Sequence, residues 1–320
     1  MLSIQNIQTA GELKLLNSHN EWDPLKEVIV GSATNAHWPK DCSAFRNLEK
    51  TTKWHFSSVP SGLVESWIVE EANEDLDILS KTLESLGVRV HRPRDLDFES
   101  FDGMYNYCPR DRALVVGDKV VDAPMLYPTR KKEIEAIAEY LSDSVISCTD
   151  SSVIFDAANI CRLGKDLLYL VSDSGNRAGA QWLQHILKDD YTVHILENIY
   201  SGVHIDSTIS PVREGLVVLN ADRINESNVP EPLKSWDKIW ISGDQLYEQQ
   251  FCQYPYASKY IGLNFLTVDP TTVICDPRQT YLRTQLEKYN VTTIGVNLRH
   301  SRTLGGGHHC VTLDLVRMSS

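Results

Sequence analysis

One arrangement of elements recurs five times along this chain, and that recurrence limits the folds open to it. Short β-branched runs come in pairs around a tight turn, with a helical stretch and a third strand after them. The first unit reads as a strand over 27–31, a helix over 69–86 with Leu76, Ile78, Leu79, Leu83 and Leu86 on its apolar side, and a strand over 88–91. The second has strands over 113–116 and 119–122 around Gly117-Asp118, a helix over about 131–141 and a strand over 145–148. The third runs from Val153 through the Gly164-Lys165-Asp166 turn to a strand over 167–171, a helix over 178–187 and a strand over 191–196. The fourth is less regular, with runs over 203–209, 216–220 and 238–241 and a turn over 213–215. The fifth has strands over 264–268 and 273–276, a helix over 279–289 and a strand over 292–296. A last run over 310–316 has no helix after it and is expected to close a ring with the first strand. Units that cannot bury their faces alone imply a closed α/β array. No linker rich in Pro, Gly or Ser interrupts it, so a single domain over 1–320 is expected.

Composition narrows the function. With 42% hydrophobic and 23% charged residues the chain is of the globular class. Its 31 basic and 43 acidic side chains leave a net charge of −12, without the basic footprint that carries nucleic-acid affinity. Apolar runs such as 113–116 and 167–171 fall far short of the roughly 20 residues of a membrane span. The first 25 residues lack the pattern of a secretory signal, so a cytoplasmic location is expected. Seven cysteines (Cys42, Cys108, Cys148, Cys161, Cys252, Cys275, Cys310) are scattered without a C-x-x-C pair, which argues against a disulfide framework or a zinc ribbon. What remains is whether one thiol is a nucleophile.

Four segments set polar groups in apolar surroundings or beside glycines: Cys108-Pro109-Arg110-Asp111, Phe155-Asp156-Ala157-Ala158-Asn159, Val203-His204-Ile205-Asp206-Ser207-Thr208 and Leu304-Gly305-Gly306-Gly307-His308-His309-Cys310. Three glycines in a row allow close approach of backbone to a ligand. Cys310 behind them reads either as an exposed thiol activated by polar neighbours or as a buried structural thiol. His204 is the strongest candidate for its general base, with Asp206 expected on the same face of a strand to orient it; the alternative is a satisfied strand histidine. Asp111 and Asp156 in one pocket would suit a planar cation, because carboxylate and guanidinium match in bidentate geometry. Taken singly, Asp111 fits equally as a partner of Arg110 or Arg112, and Asp156 as a turn or cap residue. His300, His308 and His309 lack metal-ligand spacing, so no metal is expected, and no glycine-rich nucleotide-binding pattern occurs.

Together and in this order, the four segments resemble the amidinotransferases, the glycine amidinotransferase branch of the guanidino-group-modifying enzymes. The resemblance covers nearly the whole chain and includes Glu21-Trp22-Asp23-Pro24-Leu25, Asp122-Ala123-Pro124-Met125, Asn220-Ala221-Asp222-Arg223 and Ser258-Lys259. The stretches Ser172-Asp173-Ser174-Gly175-Asn176 and Arg302-Thr303-Leu304-Gly305 look most like enzymes of cyanobacterial toxin pathways. The resemblance implies a pentein-like five-bladed α/β propeller of ββαβ modules, an active site in its central channel, and no metal or organic cofactor. It also implies ping-pong chemistry, in which Cys310 attacks the guanidino carbon of L-arginine, His204 protonates the departing amine to release L-ornithine, and His204 then takes the proton of an amine acceptor. Asp156 and Asp111 would hold the guanidinium, while Asp206 orients His204 or adds a contact. Arg223 would pair with the donor's α-carboxylate and Ser258 would touch its amino acid end. A homodimer is a common assembly in the family.

Two departures bear on the acceptor. Members commonly carry an acidic residue where this chain has Asn159 and a serine where it has Ala257, and both positions would border the substrate. The stretch between Asp111 and Asp156 is also shorter than in many glycine-type members. The acceptor is therefore left open between glycine and a bulkier amine. An arginine hydrolase of deiminase or dihydrolase type would use the same Cys, His and Asp set with water. A non-catalytic arginine-binding protein is disfavoured by the joint presence of Cys310, His204 and Asp156.

Overall fold

The computed structural model describes residues 16–40, 60–141, 144–252 and 254–318. Five three-stranded sheets form the blades of a propeller, and in each the first two strands are antiparallel and the third runs parallel to the second. Blade 2 is Ala113–Val116, Lys119–Asp122 and Val145–Ser147; blade 3 is Ile160–Leu163, Asp166–Leu170 and Thr192–Leu196. Blade 4 is Ile209–Arg213, Leu216–Asn220 and Asp237–Ile241; blade 5 is Leu266–Asp269, Thr272–Cys275 and Thr292–Gly295. Blade 1 joins the two ends of the chain: Thr312–Arg317 pairs antiparallel with Leu25–Val30, which pairs parallel with Arg89–His91. The final run thus closes the ring with the first strand.

A parallel third strand requires a crossover, and three blades make it with an α-helix. These are Ser66–Ser85, Arg177–Leu187 and Thr280–Lys288. The first buries Ile68, Ala72, Leu76, Leu79 and Leu83 on one stripe, while Ile78 and Leu86, expected on that side, are exposed. The second starts at Asn176, whose side chain accepts from the Gly179 amide at 2.8 Å and satisfies an end group of the helix.

Blades 2 and 4 depart from expectation. The helix read over 131–141 is two 3₁₀ stretches, Pro128–Ala136 and Ala138–Tyr140. With three residues per turn, positions i and i+3 eclipse, and this sets Arg130 over Glu133 in a buried ion pair of 2.8 Å. In blade 4 the crossover holds only the 3₁₀ turn Glu231–Leu233. The run over 203–209 is not a strand there: the chain turns, His204 takes φ +53°, and pairing begins at Ile209.

The apolar core is divided among five clusters, each between neighbouring blades. Ile29, Val115 and Leu313 lie between blades 1 and 2, for example, and Val121, Phe155, Leu167 and Leu183 between blades 2 and 3. The centre of the ring is charged instead. Arg162 donates to Glu21 at 2.9 and 2.7 Å and to Asp314 at 2.7 Å. Asp314 also accepts from Arg110 at 2.6 Å and from Arg317 at 2.7 Å. Burial works to raise both acids, but the guanidinium groups outweigh it and hold Glu21 and Asp314 well below the usual carboxylate range. Among the described residues no helix is long and apolar enough to cross a membrane. The six described cysteines are unpaired, and Cys42 lies outside the described residues.

Candidate active site

In every blade, the segment just before the first strand brings a polar or reactive side chain to the centre. Asp111 ends the 3₁₀ turn Pro109–Asp111 ahead of blade 2, Asp156 precedes the 3₁₀ turn Ala157–Asn159 ahead of blade 3, and Asp206 stands ahead of blade 4. Asn264 follows the 3₁₀ stretch Lys259–Leu263 ahead of blade 5, and Cys310 precedes the strand that closes blade 1. Backbone bonds tie these segments to one another: Ile205 N donates to Ala158 O at 2.9 Å, His308 N to Asn264 O at 3.0 Å and Arg110 N to Cys310 O at 3.4 Å. Their order around the ring is thereby fixed.

They enclose a cavity of about 770 Å³, open to solvent, that Asp111, Asp156, His204, Asp206 and Cys310 all line. Ala257 and Ser258 also line it. Asn159 and Arg223 do not. The Asn159 amide is wholly buried behind the wall, donating to Leu170 O and Ser172 Oγ at 2.9 Å each and accepting from Ser174 Oγ at 2.8 Å. Arg223 stands behind Tyr200, its guanidinium 3.5 Å from that ring's centre and bonded to Thr208 Oγ1 at 2.7 Å.

His204 lies between two carboxylates, donating from Nε2 to Asp156 at 3.0 Å, with Asp111 3.6 Å from Nδ1. Burial disfavours its charged form, but Asp111, Asp156 and Asp206 outweigh that and raise its pKa to about 9. Asp156, not Asp206, is therefore the partner of His204, because the left-handed turn at His204 breaks the strand alternation that would have paired it with Asp206. Asp206 faces the other way, accepting from the Cys310 thiol at 3.2 Å and from His309 Nδ1 at 3.0 Å. Burial would raise Asp206, yet His309, His204 and the thiol bring it to about 2.

Cys310 is only 2% exposed and is one of the residues that line the cavity. Burial, Asp206, Cys108 and Asp111 push its pKa well above the ordinary thiol value, so the site favours the thiol, and Cys310 is buried, not exposed. Asn264 Nδ2 donates to its sulfur at 3.2 Å. The loop leading to it turns at Gly305 with φ +81°, a left-handed conformation that favours glycine.

Asp111 pairs with neither adjacent arginine. Arg130 donates to its Oδ2 at 2.8 Å, whereas Arg112 bonds to Asp122 and Arg110 to Asp314. The remaining oxygens, Asp111 Oδ1 and Asp156 Oδ1, are buried without a hydrogen-bond partner. Asp111 Oδ1 faces the ring Nδ1 of His204 at 3.6 Å, beyond hydrogen-bond reach, so both oxygens keep capacity for a further cationic donor beside the cavity their residues line.

Sequence reasoning missed Arg130, Glu133, Asn264 and the tyrosines Tyr105, Tyr127, Tyr200 and Tyr256 on the cavity wall. Asn264, like the three aspartates, lies in the few residues ahead of the first strand of its blade.

No model of a known protein family matches the chain. Over 341 residues it is 39% identical to inosamine-phosphate amidinotransferase 1 of Streptomyces griseus, with 95% of this chain and 98% of that protein covered. The chain belongs to the amidinotransferases. The solved inosamine-phosphate amidinotransferase of Streptomyces griseus matches it with a TM-score of 0.87, covering 96% of this chain and 98% of that one. An amidinotransferase of the saxitoxin biosynthetic pathway from Microseira wollei matches at 0.82 with 29% identity, over 95% of this chain and 98% of that one. The likeness to a toxin-pathway enzyme is thus real but lower than that to the Streptomyces enzyme. The L-arginine:L-lysine amidinotransferase of Pseudomonas savastanoi pv. phaseolicola is 28% identical over 98% of each chain. Dimethylarginine dimethylaminohydrolase of Pseudomonas aeruginosa, at 16% identity, a TM-score of 0.61 and coverage of 91% of this chain and 99% of that one, shares the fold. The amidinotransferase described here is accordingly an enzyme of the pentein-like propeller architecture, acting on small molecules.

Proposed function

We propose that this amidinotransferase moves the amidino group of L-arginine to a primary amine through a covalent amidino-cysteine on Cys310, releasing L-ornithine. The observation that carries the reading is the pair of unpartnered oxygens, Asp111 Oδ1 and Asp156 Oδ1, on the wall that also holds the Cys310 sulfur and His204. A guanidinium is permanently charged and planar and offers the donors those oxygens lack. L-Arginine as donor accords with the Pseudomonas savastanoi relative, whose name states that substrate.

The chemistry follows from the charges. A guanidinium docked between Asp111 and Asp156 offsets the carboxylate field that disfavours the Cys310 thiolate, so the substrate itself favours loss of the thiol proton, which passes to solvent because His204 is already protonated. The thiolate attacks the guanidino carbon and gives a neutral tetrahedral adduct. His204, an imidazolium at neutral pH because its pKa is raised to about 9, protonates the departing nitrogen. Ornithine leaves, and the cationic S-amidino group stays between the same carboxylates. His204, now neutral, takes a proton from the acceptor amine as it attacks, and collapse expels the thiolate and a new guanidinium. A place in secondary-metabolite synthesis fits the saxitoxin-pathway relative. Ser258 lies on the wall where the amino acid end of the donor would reach.

Incubation with L-arginine and a panel of primary amines, followed by mass spectrometry of the products, tests this reading. Ornithine is expected only when an amine is present, with one matching guanidino product. Citrulline or ammonia from arginine and water alone would overturn it in favour of a hydrolase.

A further inference from the structure

We propose that Asn264 is a catalytic residue of this site, donating from its side-chain amide to the Cys310 sulfur and stabilising the thiolate in both half-reactions. The proposal rests on the reading above that Cys310 is the nucleophile.

The geometry leaves the amide one orientation. Asn264 Oδ1 accepts from the backbone of His309 at 2.9 Å and of Cys310 at 3.1 Å, which turns Nδ2 toward the sulfur, 3.2 Å away. Gly307 packs against this amide so closely that a Cβ there would lie 2.6 Å from Oδ1. The side chain is 1% exposed and does not line the cavity, so it touches the reacting sulfur without facing the substrate.

Its place in the fold makes the residue type informative. The equivalent segments of blades 2, 3 and 4 bring Asp111, Asp156 and Asp206 to the centre; blade 5 brings a neutral amide. A cation-binding site gains from each carboxylate, but a sulfur that must become negative does not. Asp206 already lies 3.2 Å from it. An N–H donor acts in the opposite sense, since its bond strengthens as charge builds on the sulfur. The amide therefore raises the thiolate fraction before the first attack, and meets the charge that returns to the sulfur when the second half-reaction expels it.

Two variants separate this role from mere anchoring of the 308–310 loop. Asn264→Asp keeps an oxygen for the two backbone amides but removes the donor and adds a charge. Asn264→Ser, without a charge, leaves a hydroxyl about one bond shorter than the amide, which falls short of both the sulfur and the two backbone amides, and it fits beside Gly307. In both, alkylation of Cys310 by iodoacetamide at about pH 8, followed by peptide mass spectrometry, is expected to slow about tenfold or more. The kcat is expected to fall by about 10- to 100-fold with the KM for L-arginine unchanged. Unchanged alkylation in both variants overturns the proposal. So does slowing in Asn264→Asp alone, which belongs to the added charge, or in Asn264→Ser alone, which belongs to the lost anchor. Absence of an amidino adduct on wild-type Cys310 overturns the functional reading and this proposal with it, and the alkylation rates tell that failure from the others.

Discussion

Two groups of acidic side chains are buried at the centre of this propeller, and they are treated in opposite ways. Glu21 and Asp314 are surrounded by Arg110, Arg162 and Arg317, with Arg162 bridging the two. Asp111 and Asp156 are as deeply buried, each at 3% exposure, yet each keeps one oxygen without a hydrogen bond, that of Asp111 having only His204 Nδ1 at 3.6 Å. Asp206 joins the two groups through His309, which bonds Asp206 at 3.0 Å and Glu21 at 3.2 Å. Buried charge is tolerated when its hydrogen bonds are complete, so the completed cluster reads as scaffold and the incomplete pair as the place for a cation. The completed cluster also bonds the first strands of two blades: Arg162 donates to Val115 O at 3.0 Å and Arg317 to Thr267 O at 2.8 Å.

The sharpest way to separate the two regions is to remove the nucleophile. Cys310→Ser is expected to reduce turnover by at least about a thousandfold, with the circular dichroism spectrum and Tm nearly unchanged. Arg162→Met should do the converse. It leaves Glu21 and Asp314 underpaired, and chemical denaturation should show a loss of about 3–5 kcal/mol. A smaller effect comes from His204. Its folded pKa is raised from 6.5 to about 9, so its contribution is complete below pH 6.5 and is lost as pH rises through about 9. Wild-type stability should therefore fall across that window more steeply than that of His204→Gln, measured by denaturant titration at each pH. Least is expected of Ala257→Ser on the cavity wall, which should change the relative kcat/KM among amine acceptors by about tenfold or less and leave stability intact.

Much of the ring was legible because β-branched pairs around tight turns mark strands wherever both faces are buried. Strands such as Ala113–Val116 and Lys119–Asp122 match their expected bounds. The expected helix over 131–141 did not form as such, because a run of charged residues gives no hint that Arg130 and Glu133 are buried as a pair, and it is that pair that suits the 3₁₀ pitch. In the site, Cys310, His204, Asp111 and Asp156 stood out as reactive types in apolar surroundings. Their partners did not, since the turn at His204 that gives it Asp156 instead of Asp206 depends on a left-handed residue that no local pattern announces. Asn159 was expected at the substrate but ends the 3₁₀ turn Ala157–Asn159 and stands behind the wall in an amide network with Leu170 and Ser174. The sequence places Asn264 at the start of a strand over 264–268; in the fold that strand begins at Leu266, which leaves Asn264 in the segment ahead of it, as Asp111, Asp156 and Asp206 are in theirs.

The central claim, that the two unpartnered oxygens hold a guanidinium, is tested most directly by calorimetric titration of L-arginine into Cys310→Ser, with and without Asp156→Asn. The expected result is binding by the single variant and a loss of about a hundredfold or more in affinity when Asp156 is also changed. Equal affinity in the two proteins would contradict the claim and leave the unpartnered carboxylates without a role in binding the donor.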